Sequence, residues 1–301
     1  MDIQINKKNG ESFTLSEHGI VVKDFIVSSI PLEGIYDKVE GGNKQIDYGA
    51  TYGSRTITVP FTLLAYDLID FPLLRDTLFG LVHDAESFYI RELRRPKKLN
   101  YAFVDTTEAP RMDPQTENRL VGGKRYLVRL QSTFDIEQIA LRGEGELIFE
   151  TTELPFAESV GTTADIDRNG ISANEELWGF GMGLMSVDET LTYTHTGTQF
   201  RIFNAGNVNI HPFEQELKIT ITNVNAPNFR MRNITNGSEF EIIESVTGSQ
   251  TIVIDGANVT SNGLAFLRNT SMEYIELSPG WNEFQLSRSA TVTFDFRFYY
   301  L

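Results

Sequence analysis

The segment 165–176 has the residue types and spacing of a calcium-binding loop. It fits the EF-hand pattern D-x-[DN]-x-[DN]-G-x5-E at every defined position. In such a loop, three side-chain oxygens converge on the ion, a backbone carbonyl follows, and a glutamate closes the shell with both carboxylate oxygens. The spacing therefore predicts one Ca²⁺ site and no other cofactor, with the ligands Asp165, Asp167, Asn169, Ile171 and Glu176.

Two features of the same segment favour a different interpretation. Ser172 stands where EF-hand loops usually have an aliphatic residue, and the preceding residues 161–163 do not have a helical pattern. The alternative is an acidic linker rich in Asn and Gly. If calcium binds, we expect the ion to stiffen a junction between domains and to take no part in catalysis.

No other set of residues points to catalysis. The four histidines show neither metal-ligand spacing nor an H-E-x-x-H pattern, and there is no nucleophile elbow, phosphate loop or dinucleotide fingerprint. Paired carboxylates of the glycosidase type depend on spatial proximity, which the sequence does not show. We therefore predict that the protein is not an enzyme.

Composition argues against several kinds of partner. The chain of 301 residues has 26 Lys and Arg against 41 Asp and Glu, which gives a net charge of −15. Binding to nucleic acid or to an anionic membrane depends on Lys and Arg, so neither is expected as a partner.

The absence of cysteine rules out disulfides and thiolate chemistry. The amino terminus lacks the apolar stretch of a signal peptide, and no apolar run has the length of a membrane-spanning helix, so we expect a soluble protein.

The dominant pattern is the period-two alternation of half-buried antiparallel strands. It is clearest in 56–63, in 217–222 and in 291–298, where Val292, Phe294, Phe296 and Phe298 alternate with polar residues. One amphipathic helix follows Asp70, which we expect to cap it, with Leu74, Leu78, Leu81 and Val82 on one face. The expected fold is mainly β, with two sandwich-like domains of which the first carries this helix.

Two regions without periodicity divide the chain. Residues 105–123 are loop-like, and the strand-like runs 99–104 and 125–130 on either side predict a projecting β-hairpin arm. Such an arm packs on another subunit or forms a mobile loop. Residues 157–184 separate two strand-rich halves, so we expect an amino-terminal domain over 1–156 and a carboxy-terminal sandwich over 157–301 that begins with this linker.

The two tryptophans raise the question of sugar binding. Aromatic side chains on β-sandwiches often stack against sugars, and Trp281 follows a Pro-Gly turn before the last alternating run. The alternative is that Trp281 fills the edge of the sandwich, which we favour. A carbohydrate-binding module that recognises host cell-wall polysaccharide stays the alternative function.

Several short segments, in their order along most of the chain, resemble the distal tail proteins of bacteriophages with long noncontractile tails. In the first half these are Asp47-Tyr48-Gly49, the run 52–61, the helix start 66–70, and the segments 123–128 and 154–159. In the second half they are the Asn-x-Gly and Pro pattern in 203–212, Ile254-Asp255-Gly256, and 279–282.

The resemblance implies a structural role in the phage particle. It implies an amino-terminal domain that assembles six copies into a ring at the tail tip. It also implies a galectin-like carboxy-terminal sandwich outside the ring, which in this family is generally not a working lectin. The implied partners are the tail tube protein, the tail-tip protein that often carries lysin activity, and the receptor-binding apparatus. The implied location is the tail-tip baseplate of the virion, after synthesis in the bacterial cytoplasm. The 105–123 stretch is longer than the family suggests.

Overall fold

A computed structural model describes residues 1–94, 122–171, 177–179, 181–184 and 191–301. These residues are mainly β, as the alternation predicts. Their α-helices are α1 (Asp70–Val82) and α2 (Thr163–Asn169). Their strands are β1 (Asp2–Asn6), β2 (Ser12–Thr14), β3 (Ile20–Val22), β4 (Ile26–Val27), β5 (Leu32–Lys38), β6 (Gln45–Tyr52), β7 (Thr56–Leu64), β8 (Phe88–Leu93), β9 (Lys124–Leu130), β10 (Glu137–Ile139), β11 (Arg142–Thr151), β12 (Ala157–Ser159), β13 (Thr194–Asn204), β14 (Leu217–Thr222), β15 (Phe229–Asn233), β16 (Glu239–Ile242), β17 (Ile252–Asp255), β18 (Asn258–Ser261), β19 (Leu264–Ala265), β20 (Gly280–Phe296) and β21 (Tyr299–Tyr300).

The chain divides into two compact units. The first consists of Met1–Ser28, Thr56–Gly122 and Leu127–Thr152. The second consists of Ser29–Arg55, Gly123–Tyr126 and Glu153–Leu301. The two units are therefore not separated by a single boundary in the sequence, because two short segments from the first half of the chain belong to the second unit.

The first unit is built on an antiparallel sheet with strand order β2-β1-β8-β9-β11-β7-β3. The longest pairing joins β7 to β11 and sets Val59 opposite Leu147. Ile57, Val59, Phe61 and Leu63 of β7 are fully buried, the residues between them are partly exposed, and Leu64 at the end of the strand is exposed. This is the half-buried strand that the alternation predicts.

Helix α1 packs its apolar side against this sheet. Phe71, Leu78 and Val82 are buried, and the Phe71 ring lies against Gly143 of β11. The N-cap position is Ile69, which makes no side-chain capping hydrogen bond, and the carboxylate near the helix start is that of Asp67. Asp67 accepts hydrogen bonds from the backbone N–H groups of Ile69 (2.8 Å) and Asp70 (2.7 Å). The prediction that Asp70 is the capping residue is wrong, because Asp70 is already the first helical residue.

The second unit contains a β-sandwich sheet of order β16-β15-β20-β14-β17-β18-β19, with β13 also paired to β20. Strand β20 runs through its centre and pairs with β15 in its first half and with β14 in its second. Alternate residues of β14 and β20, including Ile219, Ile221, Val292 and Phe294, are buried in one continuous core. The opposite face of these strands is polar.

Helix α2 was not expected from the sequence. Thr163 anchors its first turn, because the Thr163 hydroxyl donates to the carbonyl of Phe294 (2.8 Å) and accepts from the N–H of Phe296 (3.1 Å). Within the described residues, no helix is long and apolar enough to cross a membrane. Most of the hairpin arm predicted over 99–130 lies outside the described residues, which include only its return strand within β9, so this arm stays a prediction.

Candidate functional site

The most exposed ordered element of the second unit is the hairpin formed by β5 and β6. All residues of both strands are exposed, including Leu32 (66%), Tyr36 (61%) and Tyr48 (62%). Apolar side chains point from both faces of this ribbon, which has only two strands. An isolated two-stranded hairpin is marginally stable in water. The β5–β6 hairpin therefore has the composition of a segment that is covered by another chain.

The base of this hairpin is fixed within the second unit. The Tyr52 ring packs edge-on against Phe156, with 5.4 Å between ring centroids, and the N–H of Gly53 donates to the carbonyl of Pro31 (2.9 Å). Toward the tip, the Tyr36 side chain lies over Gly34, where a Cβ atom would overlap the ring. The hairpin is thus anchored at one end and presents apolar side chains along the rest of its length.

The first unit carries an exposed apolar surface of its own at the start of α1. We call it the helix-start patch. Its backbone is held by a hydrogen bond from the N–H of Ala65 to the carbonyl of Leu141 (3.0 Å). Large exposed apolar patches on proteins mark interaction sites. Its members are Leu64, Tyr66 (92% exposed), Leu68, Ile69 (85%), Leu73, Ile139 and Leu141.

A buried ion-pair network stabilises the second unit. Glu158 of β12 accepts from Arg125 through Nη2 (2.6 Å) and Nε (2.7 Å). Arg297 lies 4.0 Å from Glu158, pairs with Glu216 (2.9 Å), and donates to the carbonyl of Ser159. Burial raises the pKa of Glu158, and the charges of the two guanidinium groups offset part of that effect. The two arginines therefore compensate a carboxylate that is costly to bury.

A cation–π contact lies at the carboxy terminus. The Lys124 ammonium group is 3.9 Å from the centroid of the Tyr300 ring. Burial lowers the pKa of Lys124, and the nearby charge of Arg55 lowers it further. Lys124 is thus a packed side chain of the second unit rather than a free surface cation.

We expect Tyr299 and Tyr300 to resist ionisation as long as the second unit is folded. Burial raises the pKa of both phenols far above the usual value of about 10. Their hydroxyls also form hydrogen bonds, that of Tyr300 to the carbonyl of Met182 (2.9 Å). Because the folded-state pKa is raised, the stabilisation is complete below about pH 10 and is lost as the pH rises further. Tyrosinate absorbance during an alkaline titration measures the pH at which the phenols ionise.

The chain has 11 tyrosines. We expect Tyr299 and Tyr300 to ionise later in the titration than exposed tyrosines, at the pH where the second unit unfolds. The control replaces both residues, Tyr299→Phe and Tyr300→Phe, and should remove two tyrosines from this late ionisation. A single step near pH 10 in a protein that stays folded would contradict the burial of these phenols.

The histidines are placed for packing. Each contacts a phenylalanine ring in a stacked, edge-on or tilted arrangement, at centroid distances between 5.0 and 6.0 Å. The pairs are His18 with Phe13, His83 with Phe134, His195 with Phe200, and His211 with Phe213. In the part of the chain that the structure describes, no three His, Asp or Glu side chains are arranged to hold a metal ion.

Three of the predicted calcium ligands lie in helix α2. The carboxylate of Asp165 accepts from the N–H of Thr162 (2.9 Å) as part of a capping box, and Asp167 accepts from the N–H of Tyr193 (2.8 Å). Residues two apart in an α-helix are rotated by about 200°, so Asp165 and Asp167 point to opposite sides. Asn169 ends the helix and Ile171 packs against the core.

The fifth predicted ligand, Glu176, lies outside the described residues. The calcium site therefore stays a prediction, and this helix would have to unwind for the five ligands to converge. Titration of calcium into metal-free protein, with Asp165→Ala as the comparison, is its direct test.

Both tryptophan rings pack against other side chains. Trp178 is buried and packs against Phe298. The Arg201 guanidinium lies 4.0 Å from the centroid of the Trp281 ring, and the Phe203 ring is 4.9 Å away. Trp281 therefore packs at the sandwich edge, which is the interpretation that the sequence favours.

Sequence reasoning missed the β5–β6 hairpin. Its signal is present, because Gly41-Gly42-Asn43 separates two runs that contain Ile35, Tyr36, Ile46 and Tyr48. Turn residues between two such runs predict a hairpin. The irregular pairing between Gly34 and Tyr36 breaks the alternation and hides this pattern.

Comparisons with known proteins agree with this architecture. Residues 8–151 match the model of the family described as phage tail protein RIFT-related domain. The crystal structure of the SPP1 Dit (gp 19.1) protein, described as a paradigm of the hub adsorption apparatus in phages that infect Gram-positive bacteria, has 11% identity and a TM-score of 0.61, over 99% of this chain and 98% of that one. No curated protein sequence matches the chain significantly.

Two structures of the phage p2 baseplate in its activated conformation are less similar. The one with strontium has 9% identity and a TM-score of 0.38, over 98% of this chain and 97% of that one. The one with calcium has 9% identity and a TM-score of 0.37, over 99% and 97%.

The domain match and the fold place this chain beside structural proteins of phage tails, which is the class of protein that it resembles. More particularly, its amino-terminal part carries a phage tail protein RIFT-related domain, and the fold is that of SPP1 Dit. The resemblance to distal tail proteins that the sequence predicts is thereby confirmed, as are the mainly β fold and its sandwich architecture.

Proposed function

We propose that this chain is the distal tail protein of a long-tailed phage, and that six copies form a ring at the tail tip. The observation that carries the proposal is the β5–β6 hairpin, which exposes apolar side chains on both faces in a chain that contains a phage tail domain. A hairpin that extends to the next copy, repeated by rotation, closes a ring of identical contacts. The number six rests on the family resemblance.

The proposed ring joins the tail tube protein to the tail-tip protein with lysin activity, and it carries the receptor-binding apparatus. SPP1 Dit, whose fold this chain shares, is described as part of a hub adsorption apparatus, which supports this role. A chain without cysteine is suited to folding in the reducing cytoplasm of the bacterial host before assembly. The net charge of −15 favours protein partners over DNA.

The test is a measurement of mass and shape. Light scattering should give six times the 34.0 kDa of one chain, and particle images should show a six-fold ring. If the purified chain is a monomer, it is measured again after co-expression with the tail tube and tail-tip proteins. A chain that stays monomeric under both conditions would refute the ring.

A further inference from the structure

A cleft of about 430 Å³ opens on the polar side of the second unit. Four segments that are distant in sequence form it: Thr162 before α2, the loop that contains Phe213 with the start of β14, the turn at Asp255 and Gly256, and the end of β20 at Asp295. The volume lies within the range of sites that bind small molecules, roughly 300–1,000 Å³. Neither the proposed ring nor the β5–β6 hairpin uses these residues.

Strand pairing arranges the floor of the cleft. Lys218 of β14 lies opposite Asp255 of β17 on one side and opposite Asp295 of β20 on the other. Directly paired residues of antiparallel strands share a face, with Cβ atoms about 5 Å apart. No described residue forms a salt bridge with Lys218 or Asp255. The floor is therefore a row of one ammonium group between two carboxylates. One oxygen of Asp295 accepts a long hydrogen bond from the N–H of Ala164 (3.4 Å), and its other oxygen, Lys218 and Asp255 can form hydrogen bonds to a ligand.

Phe213 forms an aromatic wall of the cleft. Its side chain is 58% exposed, yet neighbouring rings fix its position. Tyr274 packs edge-on at a centroid distance of 4.7 Å and His211 lies at 5.1 Å. The Tyr274 hydroxyl donates in turn to the carbonyl of Ala257 (2.9 Å). An exposed aromatic ring that is held in place beside polar groups is typical of a binding surface that combines apolar contact with hydrogen bonds.

Threonine hydroxyls extend the polar face beyond the cleft. Strand pairing places Thr194 beside Thr293 and Thr196 beside Thr291, and the hydroxyl oxygens of these pairs are 3.1 and 3.0 Å apart. The Asn223 amide donates to Thr291 (3.2 Å). A ligand longer than the cleft would thus meet further hydrogen-bonding groups along the sheet.

We infer that this cleft binds a neutral saccharide unit of a bacterial surface polysaccharide. A sugar ring has an apolar C–H face, which matches the Phe213 ring, and hydroxyl groups along its edge. Those hydroxyls donate to the carboxylates of Asp255 and Asp295 and accept from Lys218, and hydrogen bonds to charged groups are the stronger ones. The carboxylate of Glu214 on the rim disfavours an anionic ligand, whereas the charge of Glu216 is paired with Arg297. The carbohydrate-binding function that the sequence leaves as an alternative has a concrete site here.

The test begins with an array of neutral and anionic bacterial surface polysaccharides, probed with the full chain. The neutral polysaccharide that binds best is then titrated against the wild type, Phe213→Ala and Asp255→Asn. We expect each substitution to weaken binding by at least tenfold, because each removes a group that contacts the sugar. Leu264→Ala and Glu273→Gln are the matched controls, since both are exposed in the same unit and neither lines the cleft.

Three results would overturn the inference. They are the absence of binding to any neutral polysaccharide, equal binding by the wild type and the two cleft variants, and displacement of the sugar by an arginine-rich peptide at lower concentration. The last result would identify a protein partner for the cleft. Ring assembly is measured on the same variants and should be unchanged, so failure of the saccharide site and failure of the ring are distinguishable.

Discussion

Replacement of Tyr36, Ile46 and Tyr48 by serine is expected to convert the proposed ring into monomers. All three side chains are exposed in the single chain, so the substitutions remove nothing from either core. Burial of one large apolar side chain contributes about 1.5–3 kcal/mol. The three together should therefore weaken each contact between copies by at least roughly 4.5 kcal/mol, which is about a thousandfold in the dissociation constant.

Light scattering over a range of concentrations measures this effect, and circular dichroism shows that the variant is folded. The matched control replaces three exposed apolar residues of the sandwich, Ile243, Leu264 and Met272, by serine. We expect the control variant to keep the mass of the wild type. A ring that survives the hairpin substitutions, or that the control substitutions also dissociate, would contradict the assignment of this surface.

Replacement of Arg125 by methionine should destabilise the second unit by about 3 kcal/mol. The side chain of Glu158 is only 12% exposed, so loss of its nearest cation leaves a poorly compensated buried carboxylate. Removal of one partner from a buried ion pair typically costs about 3–5 kcal/mol. The lower figure applies here because Arg297 remains 4.0 Å from Glu158.

The loss of stability in the Arg125→Met variant should be larger at pH 7 than at pH 5. Burial already raises the pKa of Glu158, and without Arg125 this pKa rises further. Since the destabilisation comes from the charged form, protonation relieves it, and the loss grows as the pH rises from the usual Glu pKa of about 4.3 toward neutrality. The addition of Glu158→Gln to the Arg125→Met variant should restore most of the stability, because the buried charge is then gone.

Urea unfolding in the monomeric hairpin variant is the measurement, so that assembly does not contribute. Tryptophan fluorescence reports on the second unit alone, because Trp178 and Trp281 both belong to it. The control is Arg230→Met, which breaks the exposed ion pairs with Glu239 and Glu241. Exposed pairs contribute about 0–1 kcal/mol. An equal decrease of the free energy of unfolding in Arg125→Met and Arg230→Met would show that the Glu158 network contributes no more than an exposed ion pair.

The segment that fits the calcium-loop pattern shows that one local sequence pattern can be compatible with two different structures. The same residues that fit an EF-hand loop also fit a capping box, Thr162-x-x-Asp165, which is typical of a helix start. Both patterns use a carboxylate at the same place, and they differ only in backbone conformation. The hydrogen bonds of Thr163 to β20 favour the helix, and these join residues more than 130 positions apart. A local pattern contains no information on that contact.

Residue types and their spacing were enough to predict the strands and the first helix, and the resemblance of short segments to distal tail proteins gave the class of protein that the chain resembles. Alternation in β7, β14 and β20 follows from the burial of one face of each strand, and this burial depends on side-chain type alone. The low content of Lys and Arg argues against nucleic acid as a partner, and the absence of cysteine excludes thiol chemistry, whatever the fold.

The surfaces that are available for function depend instead on how the chain packs. The β5–β6 hairpin is exposed because none of the described residues of its unit covers it, and apolar residues of the same types are buried elsewhere. The row of Asp295, Lys218 and Asp255 exists because pairing places β14 between two strands that are distant in sequence. Exposure and proximity across such distances are properties of the packed chain, since they depend on which strands pair and not on any local pattern.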